Sequence, residues 1–367
     1  MKKVQKRKGG TITAAFALAI MLSSFSCQSA KTIEAEMDAE EEYVPDIETV
    51  SDERAEAILD EAATIDALAF KEIWGYVMEG REGEFSAKYP ITDVGYFVSA
   101  VNVYSEMPPV PPKSKFFKNF KGRVHVVTSV DSQSQTHLLL SPDLPLRERI
   151  AEQMVKAAET YDGLQIDWEN IPKKDAENFF ELLRIVRKKL PAGKTLSIAT
   201  KARLRTLADD PFAYAPLAEL TDKIIIMAYD EHWSTSRPGA IASTGWGKRI
   251  ASYAQTQIPA DKLIMGLSFY GRTWLSAPVR GQAWYNSGIE RIKRENGVTE
   301  VQRDAYGIPH FSFKEEATIT GWYDDIDSLK IRCDAYAKMG IDRIAFWRVG
   351  QENPDFWKCL RISAEKE

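Results

Sequence analysis

The segment Asp162-Gly163-Leu164-Gln165-Ile166-Asp167-Trp168-Glu169 carries the residues best suited to chemistry. It reads as a short strand with polar side chains where apolar ones are expected. Successive side chains of a strand point to opposite faces. Gly163, Gln165, Asp167 and Glu169 therefore share one face, and Leu164, Ile166 and Trp168 the other. The apolar face can pack on a helix. The face with two acids and an amide cannot be ordinary core, because buried carboxylates are costly unless paired or hydrogen-bonded. Strand rise alone sets the Cβ atoms of Asp167 and Glu169 roughly 6–7 Å apart. Such a pair suits hydrolysis of a glycosidic bond, which needs an acid for the leaving oxygen and a group to stabilise an oxocarbenium-like centre. Both acids project from one strand, so flanking the bond from opposite faces would be awkward.

The elements that must hold this strand alternate along the chain. Short apolar runs occur at residues 73–78, 94–101, 124–130, 164–168, 196–200, 224–229, 263–269 and 344–347. Most gaps between them contain a helical pattern, as at 146–161 and at 176–190, where Pro191-Ala192-Gly193 is a stop. Strand and helix alternating in this way predict an α/β chain folded as a (β/α)8 TIM barrel. A doubly wound open sheet would want a glycine-rich phosphate turn near its first strand, and none is present. The gap before the last strand is too long for one helix. Residues from about 276 to 321 hold a helix pattern at 289–295 and strand-like runs at 311–313 and 319–323, which predicts a small α+β insertion between strands seven and eight. Ahead of the barrel, Ala55, Ile58, Leu59, Ala62 and Ile65 recur at helical spacing over residues 52–70.

Working groups in such barrels sit at the C-terminal ends of the strands. That rule gathers Glu169 from strand four, Tyr229 and Asp230 from strand six, Tyr270 and Arg272 from strand seven, and Trp347 from strand eight. Two acids, an amide, a phenol and an indole in an aromatic-rich mouth suit a sugar, which has apolar ring faces and a polar rim.

Composition narrows the alternatives. The chain has 367 residues, is 44% hydrophobic and 28% charged, and carries a net charge of −5, ordinary values for a globular protein. No basic stripe suggests a nucleic-acid partner. The four histidines are scattered without metal-ligand spacing, so neither a metal nor a cofactor is expected. Lys2, Lys3, Lys6, Arg7 and Lys8 precede an apolar run over residues 12–22, the pattern of an export signal. That run is short for a membrane span. Ser24-Phe25-Ser26-Cys27 resembles a bacterial lipoprotein box, departing from it at Ser24. Residues 1–27 are thus expected to direct export to the cell envelope, with lipid on Cys27 as a membrane anchor; plain secretion or periplasmic release is the rival. Residues 28–50 are acidic and poor in apolar side chains, as a disordered tether would be. The barrel then occupies residues 51–367. Cys333 and Cys359 could pair in an exported protein or remain two thiols.

The motifs together resemble glycoside hydrolase family 18, the chitinase family. The family's D-G-x-D-x-D-x-E is matched at Asp162, Gly163, Asp167 and Glu169, and its M-x-Y-D at Met227, Tyr229 and Asp230. Residues 263–272 resemble the segment that ends in Y-G-R, residues 321–325 resemble its W-Y-D-D region, and Trp347 matches the tryptophan under the scissile sugar. Tyr229-Asp230-Glu231-His232-Trp233 and Glu169-Asn170-Ile171-Pro172 look most like the bacterial branch of spore-germination, peptidoglycan-directed hydrolases. The resemblance implies retaining, substrate-assisted cleavage of a β-1,4-linked glycan containing N-acetylglucosamine. Glu169 would be the acid, Asp167 would hold the acetamido N–H, and Tyr229 would aim the acetamido oxygen. Gln165, Asp230, Tyr270, Arg272 and Trp347 would contact substrate. Gln165 departs from the family, standing where many chitinases have an acid that shares a proton with the next one. An altered pH profile is expected, and a non-catalytic, lectin-like envelope protein is the alternative.

Overall fold

The computed structural model of the protein describes residues 50–276, 279–314 and 318–363. The export segment, Cys27 and the acidic stretch up to residue 49 lie outside the described residues. Eight parallel strands close into a barrel. They are β1 (Glu72–Met78), β2 (Asp93–Phe97), β3 (Arg123–Ser129), β4 (Gly163–Asp167), β5 (Thr195–Lys201), β6 (Lys223–Met227), β7 (Leu263–Ser268) and β8 (Arg343–Trp347). The helices are α1 (Asp52–Ala63), α2 (Gln133–Leu140), α3 (Leu146–Ala157), α4 (Ala176–Lys189), α5 (Tyr214–Leu220), α6 (Thr244–Gln257), α7 (Asn286–Glu295) and α8 (Ile326–Lys338). The chain is a (β/α)8 TIM barrel.

Each barrel strand is apolar on its outer face and packs against helices. On β4, Leu164, Ile166 and Trp168 are buried there, and the Trp168 ring lies 6.5 Å from that of Phe179 on α4. The inner face is filled low down by Trp74, Val127, Ile225 and Ile264. At the N-terminal end of the strands a charged plug closes the interior. Glu72 accepts from Lys223 at 2.5 Å, Arg343 at 3.0 Å and Trp74 Nε1 at 3.1 Å. Beside it, Asp93 accepts from Arg123 at 2.7 Å and pairs with His125 at 2.8 Å. With that end closed by satisfied charges, the C-terminal mouth is left for function.

Two expectations need correction, and two open points find their outcome. The helix beginning at Asp52 stops at Ala63, and Leu68–Phe70 is a strand that pairs with Leu360–Ile362. Tertiary pairing there overrides helical spacing. Among the described residues no α-helix joins β2 to β3; Pro108, Pro109, Pro111 and Pro112 remove backbone donors from the connection. Strand seven ends at Ser268. Tyr270 and Arg272 belong instead to Tyr270–Ser276, a strand of a separate antiparallel sheet. That sheet runs Val279–Tyr285, Tyr270–Ser276, Thr318–Trp322, Pro309–Lys314, Gln302–Arg303, with α7 packed on it through Ile289. Finally, Cys333 and Cys359 are free thiols, the first buried and the second half-buried.

Candidate active site

β4 can run through the barrel wall because Gly163 has no Cβ: one placed there would meet His125 Nδ1 at 2.3 Å and the Thr195 carbonyl at 2.5 Å. Two residues on, Gln165 is fully buried. Its Oε1 accepts from the Tyr76 hydroxyl at 2.6 Å, and its Nε2 donates to Ser197 Oγ at 3.2 Å. The amide is thus held on both sides as a support under the site. These two bonds link β4 to β1 across the interior and to β5 beside it.

Asp167 is the next residue up the inward row. It is 6% exposed, and its Oδ1 is buried without a hydrogen-bond partner. Burial, and then the neighbouring charge of Glu169, hold its carboxyl well above the usual carboxylate range. Ser129, opposite Asp167 in the β3–β4 register, also has a buried hydroxyl without a partner. Glu169 stands just past the strand end, half-buried at the mouth. Across the opening, Tyr229 is half-buried, and its ring meets Tyr270 edge-on at 6.4 Å. Burial and the nearby Tyr76, Tyr270 and Asp167 push its phenol far up, so it remains a donor. Gly266 makes room for that ring, since a Cβ would press on it at 3.2 Å.

Asp230 adopts a left-handed φ of 60°, which turns its carboxyl toward the added sheet. Its Oδ1 accepts from Tyr270 at 2.6 Å and from Arg272 at 3.0 Å. Arg272 is 2% exposed. Tyr270 and Arg272 thus buttress Asp230. Trp347 forms the opposite wall, with its ring 5.3 Å from Tyr76 and 5.2 Å from Phe97. The next residue, Arg348, reaches Glu84 on the loop after β1 and the Tyr285 hydroxyl on the added sheet. It ties the two sides of the mouth together behind Trp347.

The structure therefore brings Asp167, Glu169, Tyr229, Asp230 and Trp347 to one opening and sets Gln165, Tyr270 and Arg272 behind it. Sequence reasoning passed over Tyr76, Ser129, Ser197 and Arg348. The inward parity of β1, β3 and β5 was a usable signal for the first three.

Residues 112–352 match the family model described as glycosyl hydrolases family 18. The chain belongs to that family. It is 26% identical over 251 residues to the cortical fragment-lytic enzyme of Bacillus anthracis, spanning 64% of this chain and 58% of that protein. It is 25% identical over 234 residues to the uncharacterized glycosylase YvbX of Bacillus subtilis, spanning 59% of this chain and 65% of that one. Among solved structures, the Bacillus cereus spore cortex-lytic enzyme SleL superposes with a TM-score of 0.72 at 21% identity, covering 81% of this chain and 76% of SleL. A chitinase from Chromobacterium violaceum superposes at 0.69 and 20% identity, covering 79% and 97%. At these identities the two structures share the family 18 barrel with this chain.

Proposed function

We propose that this family 18 chain is a retaining glycoside hydrolase that cleaves β-1,4 linkages after N-acetylglucosamine, with the 2-acetamido group of the substrate as nucleophile. One observation carries the reading: a buried Asp167 oxygen with no partner, between Glu169 and Tyr229, beside a tryptophan wall. An unpaired buried acceptor costs on the order of 1–3 kcal/mol, and an acetamido N–H supplies the missing donor.

Glu169 gives its proton to the glycosidic oxygen as the C1–O bond breaks. The acetamido carbonyl oxygen attacks C1, closing a positively charged oxazolinium ring. Asp167 accepts the acetamido N–H, and its anion balances that charge. Tyr229 donates to the acetamido oxygen and aims it. Water, deprotonated by Glu169, then opens the ring from the vacated face and restores the β configuration. Burial and the Glu169 charge disfavour the Asp167 anion, and a cationic ring forming beside it favours that anion.

The glycan of peptidoglycan is the favoured polymer over chitin. It is supported by relatives named as cortical fragment-lytic and spore cortex-lytic. Export to the envelope and lipid anchoring through Cys27 complete the proposal. The test is incubation of the full chain with purified peptidoglycan and with N-acetylglucosamine oligomers, reading product ends by mass and anomeric configuration by NMR. Retention, dependence on the 2-acetamido group and loss of turnover but not binding in Glu169→Gln support the reading. Equal cleavage of a 2-hydroxyl analogue removes the mechanism, and binding without turnover leaves a lectin.

A further inference from the structure

The connection after β2 carries the two most exposed large apolar side chains among the described residues, Val103 at 87% and Tyr104 at 76%. Their turn is fixed from several directions. Asn102 Oδ1 accepts from the Tyr104 N–H at 2.9 Å and the Glu106 N–H at 3.1 Å, and the Asn102 N–H donates to the Glu106 carbonyl at 2.9 Å. Ser105 takes a left-handed φ of 61° within the turn. From α2, Gln135 Nε2 donates to the Asn102 carbonyl. From α3, Arg149 Nη2 donates to the Tyr104 carbonyl at 3.1 Å, and Gln153 accepts from the Met107 N–H at 2.7 Å. Two helices thus brace a turn whose own apolar side chains stay in water.

The turn stands at the C-terminal rim, because the Val101 N–H donates to the carbonyl of Ser129, the last residue of β3, at 3.0 Å. A continuous ledge joins it to the proposed proton donor. Asn170, next to Glu169, donates through Nδ2 to the Asp131 carbonyl at 3.2 Å. Asp131 leads into Ser132, the N-cap of α2, and Gln135 of that helix holds Asn102. Asp131, Ser132, Gln133 and Ser134 are exposed along the way. β2 lies two strands from β4, roughly 10 Å at the spacing of neighbouring strands, so Tyr104 stands beyond the sugar whose oxygen Glu169 would protonate.

Single exposed apolar residues are ordinary on a protein surface. A braced pair is different. Holding the tip still costs chain entropy and buries no apolar surface, so the return comes from what docks there. Tyrosine offers a rigid amphipathic ring at little entropic cost. A phenol face beside hydroxyls, an amide and a carboxylate matches a pyranose, with its apolar face and polar rim. We propose that Tyr104 and the ledge from Asp131 to Ser134 form a distal subsite that holds a β-1,4-linked glycan strand on the Glu169 side of the cleft. The inference deepens the hydrolytic reading above and rests on it for the class of ligand. A long strand reaches the tip and a short fragment does not.

The test measures Kd by calorimetry in the full chain carrying Glu169→Gln, which needs no turnover. Two ladders are compared, N-acetylglucosamine oligomers and peptide-free peptidoglycan fragments, each as tetrasaccharide and octasaccharide. The octasaccharide should bind at least about tenfold more tightly than the tetrasaccharide in one ladder or both. Tyr104→Ala should take at least about fivefold more affinity from the octasaccharide than from the tetrasaccharide, and Tyr104→Phe, which keeps the ring face, should restore most of it. In the active chain, Tyr104→Ala should raise KM on the octasaccharide more than it lowers kcat. An unchanged length preference in a folded Tyr104→Ala overturns the proposal, as do an equal loss on both lengths and the absence of length preference in both ladders. Lost binding to phosphatidylglycerol vesicles with unaltered glycan affinity in Tyr104→Ala gives the tip to a lipid surface and also overturns it. No turnover by the wild type, with the Tyr104-dependent length preference intact, removes the hydrolytic reading and keeps the ledge.

Discussion

Replacing Gln165 by aspartate tests how the site controls its protons. Position 165 is fully buried and lies on the same inward row as Asp167. Two residues of strand separate the groups by roughly 6–7 Å. At an effective dielectric of about 20, two unit charges at that distance repel by roughly 2.5 kcal/mol, equivalent to just under about 2 pH units. The shorter aspartate side chain would keep the Tyr76 hydroxyl as a donor only by reaching further, and it would lack the amide N–H now given to Ser197. The new pair of acids should therefore titrate together, and the alkaline limb of the kcat/KM profile should move up by about 1–2 units. Stability carries a matching sign. An acid whose folded pKa exceeds its unfolded value stabilises the protein at low pH and loses that contribution as pH rises to the folded pKa. The variant should thus melt closer to wild type at pH 4.5 than at pH 7.5. The assay is a pH–rate profile on an N-acetylglucosamine oligomer with thermal melts at both pH values. A superimposable pH–rate curve from a folded variant would refute any coupling between positions 165 and 167.

Tyr76→Phe removes the donor 2.6 Å from Gln165 Oε1 and should cost about 1–3 kcal/mol in urea unfolding; a loss under about 0.5 kcal/mol means the amide has found another donor. Arg272→Met strips a nearly buried partner from Asp230, whose side chain is 29% exposed, and should cost about 2 kcal/mol and raise KM more than it lowers kcat; steady-state kinetics with an unchanged KM contradict the buttress. Burial presses the His310 imidazole, stacked on Trp322 at 4.1 Å, down to about 4. Its unfolded state takes up the proton first, so it costs stability as pH falls from about 6.5 toward 4, and His310→Phe should flatten the melting-temperature curve there. Burial would raise the Asp93 carboxyl, yet bonds from His125 and Arg123 hold it below the usual range. Its contribution is present above the unfolded value and lost as pH falls through the folded one, so Asp93→Asn should lower wild-type stability at pH 7 and lessen the acid-induced loss below about pH 4.

The barrel was legible because parallel strands buried on both faces read as near-continuous apolar runs, and each of the eight runs lies on a barrel strand. The catalytic row was legible for the opposite reason: Gln165, Asp167 and Glu169 are polar where the local pattern demands apolar. What could not be read depends on distant partners. Leu68–Phe70 is a strand only because Leu360–Ile362 returns beside it. The chain leaves β7 for the added sheet without a local break, since Ser268-Phe269-Tyr270 carries no glycine or proline. The Phe269 N–H is still bonded to the Trp347 carbonyl, and the next residue already pairs with Tyr285. Tyr270 and Arg272 therefore read as one strand with β7, although they lie on the added sheet and their side chains bond Asp230.

Gln165 has a physical role that goes beyond a missing acid. In an acid–acid pair, a proton moving to the lower carboxyl frees the upper one, so the resting state of Asp167 would depend on its neighbour below. Here that neighbour is neutral at every pH and is held on two sides by Tyr76 and Ser197. The charge of Asp167 is then governed by burial and by Glu169. Protonation of one carboxyl relieves the other, so in the proposed mechanism a single coupled pair sets both the proton for the leaving oxygen and the anion beside the oxazolinium ring. A second consequence concerns Ser129, whose unpartnered hydroxyl faces Asp167 in register. With no acid below to receive a proton, a hydroxyl on β3 is the neutral group placed to stabilise the anion of Asp167. Ser129→Ala should therefore raise the apparent pKa of the acid limb and lower kcat while leaving KM within about twofold, since a hydrogen bond to the charged form is what is lost. An unchanged acid limb would leave the anion of Asp167 to the substrate's own N–H alone.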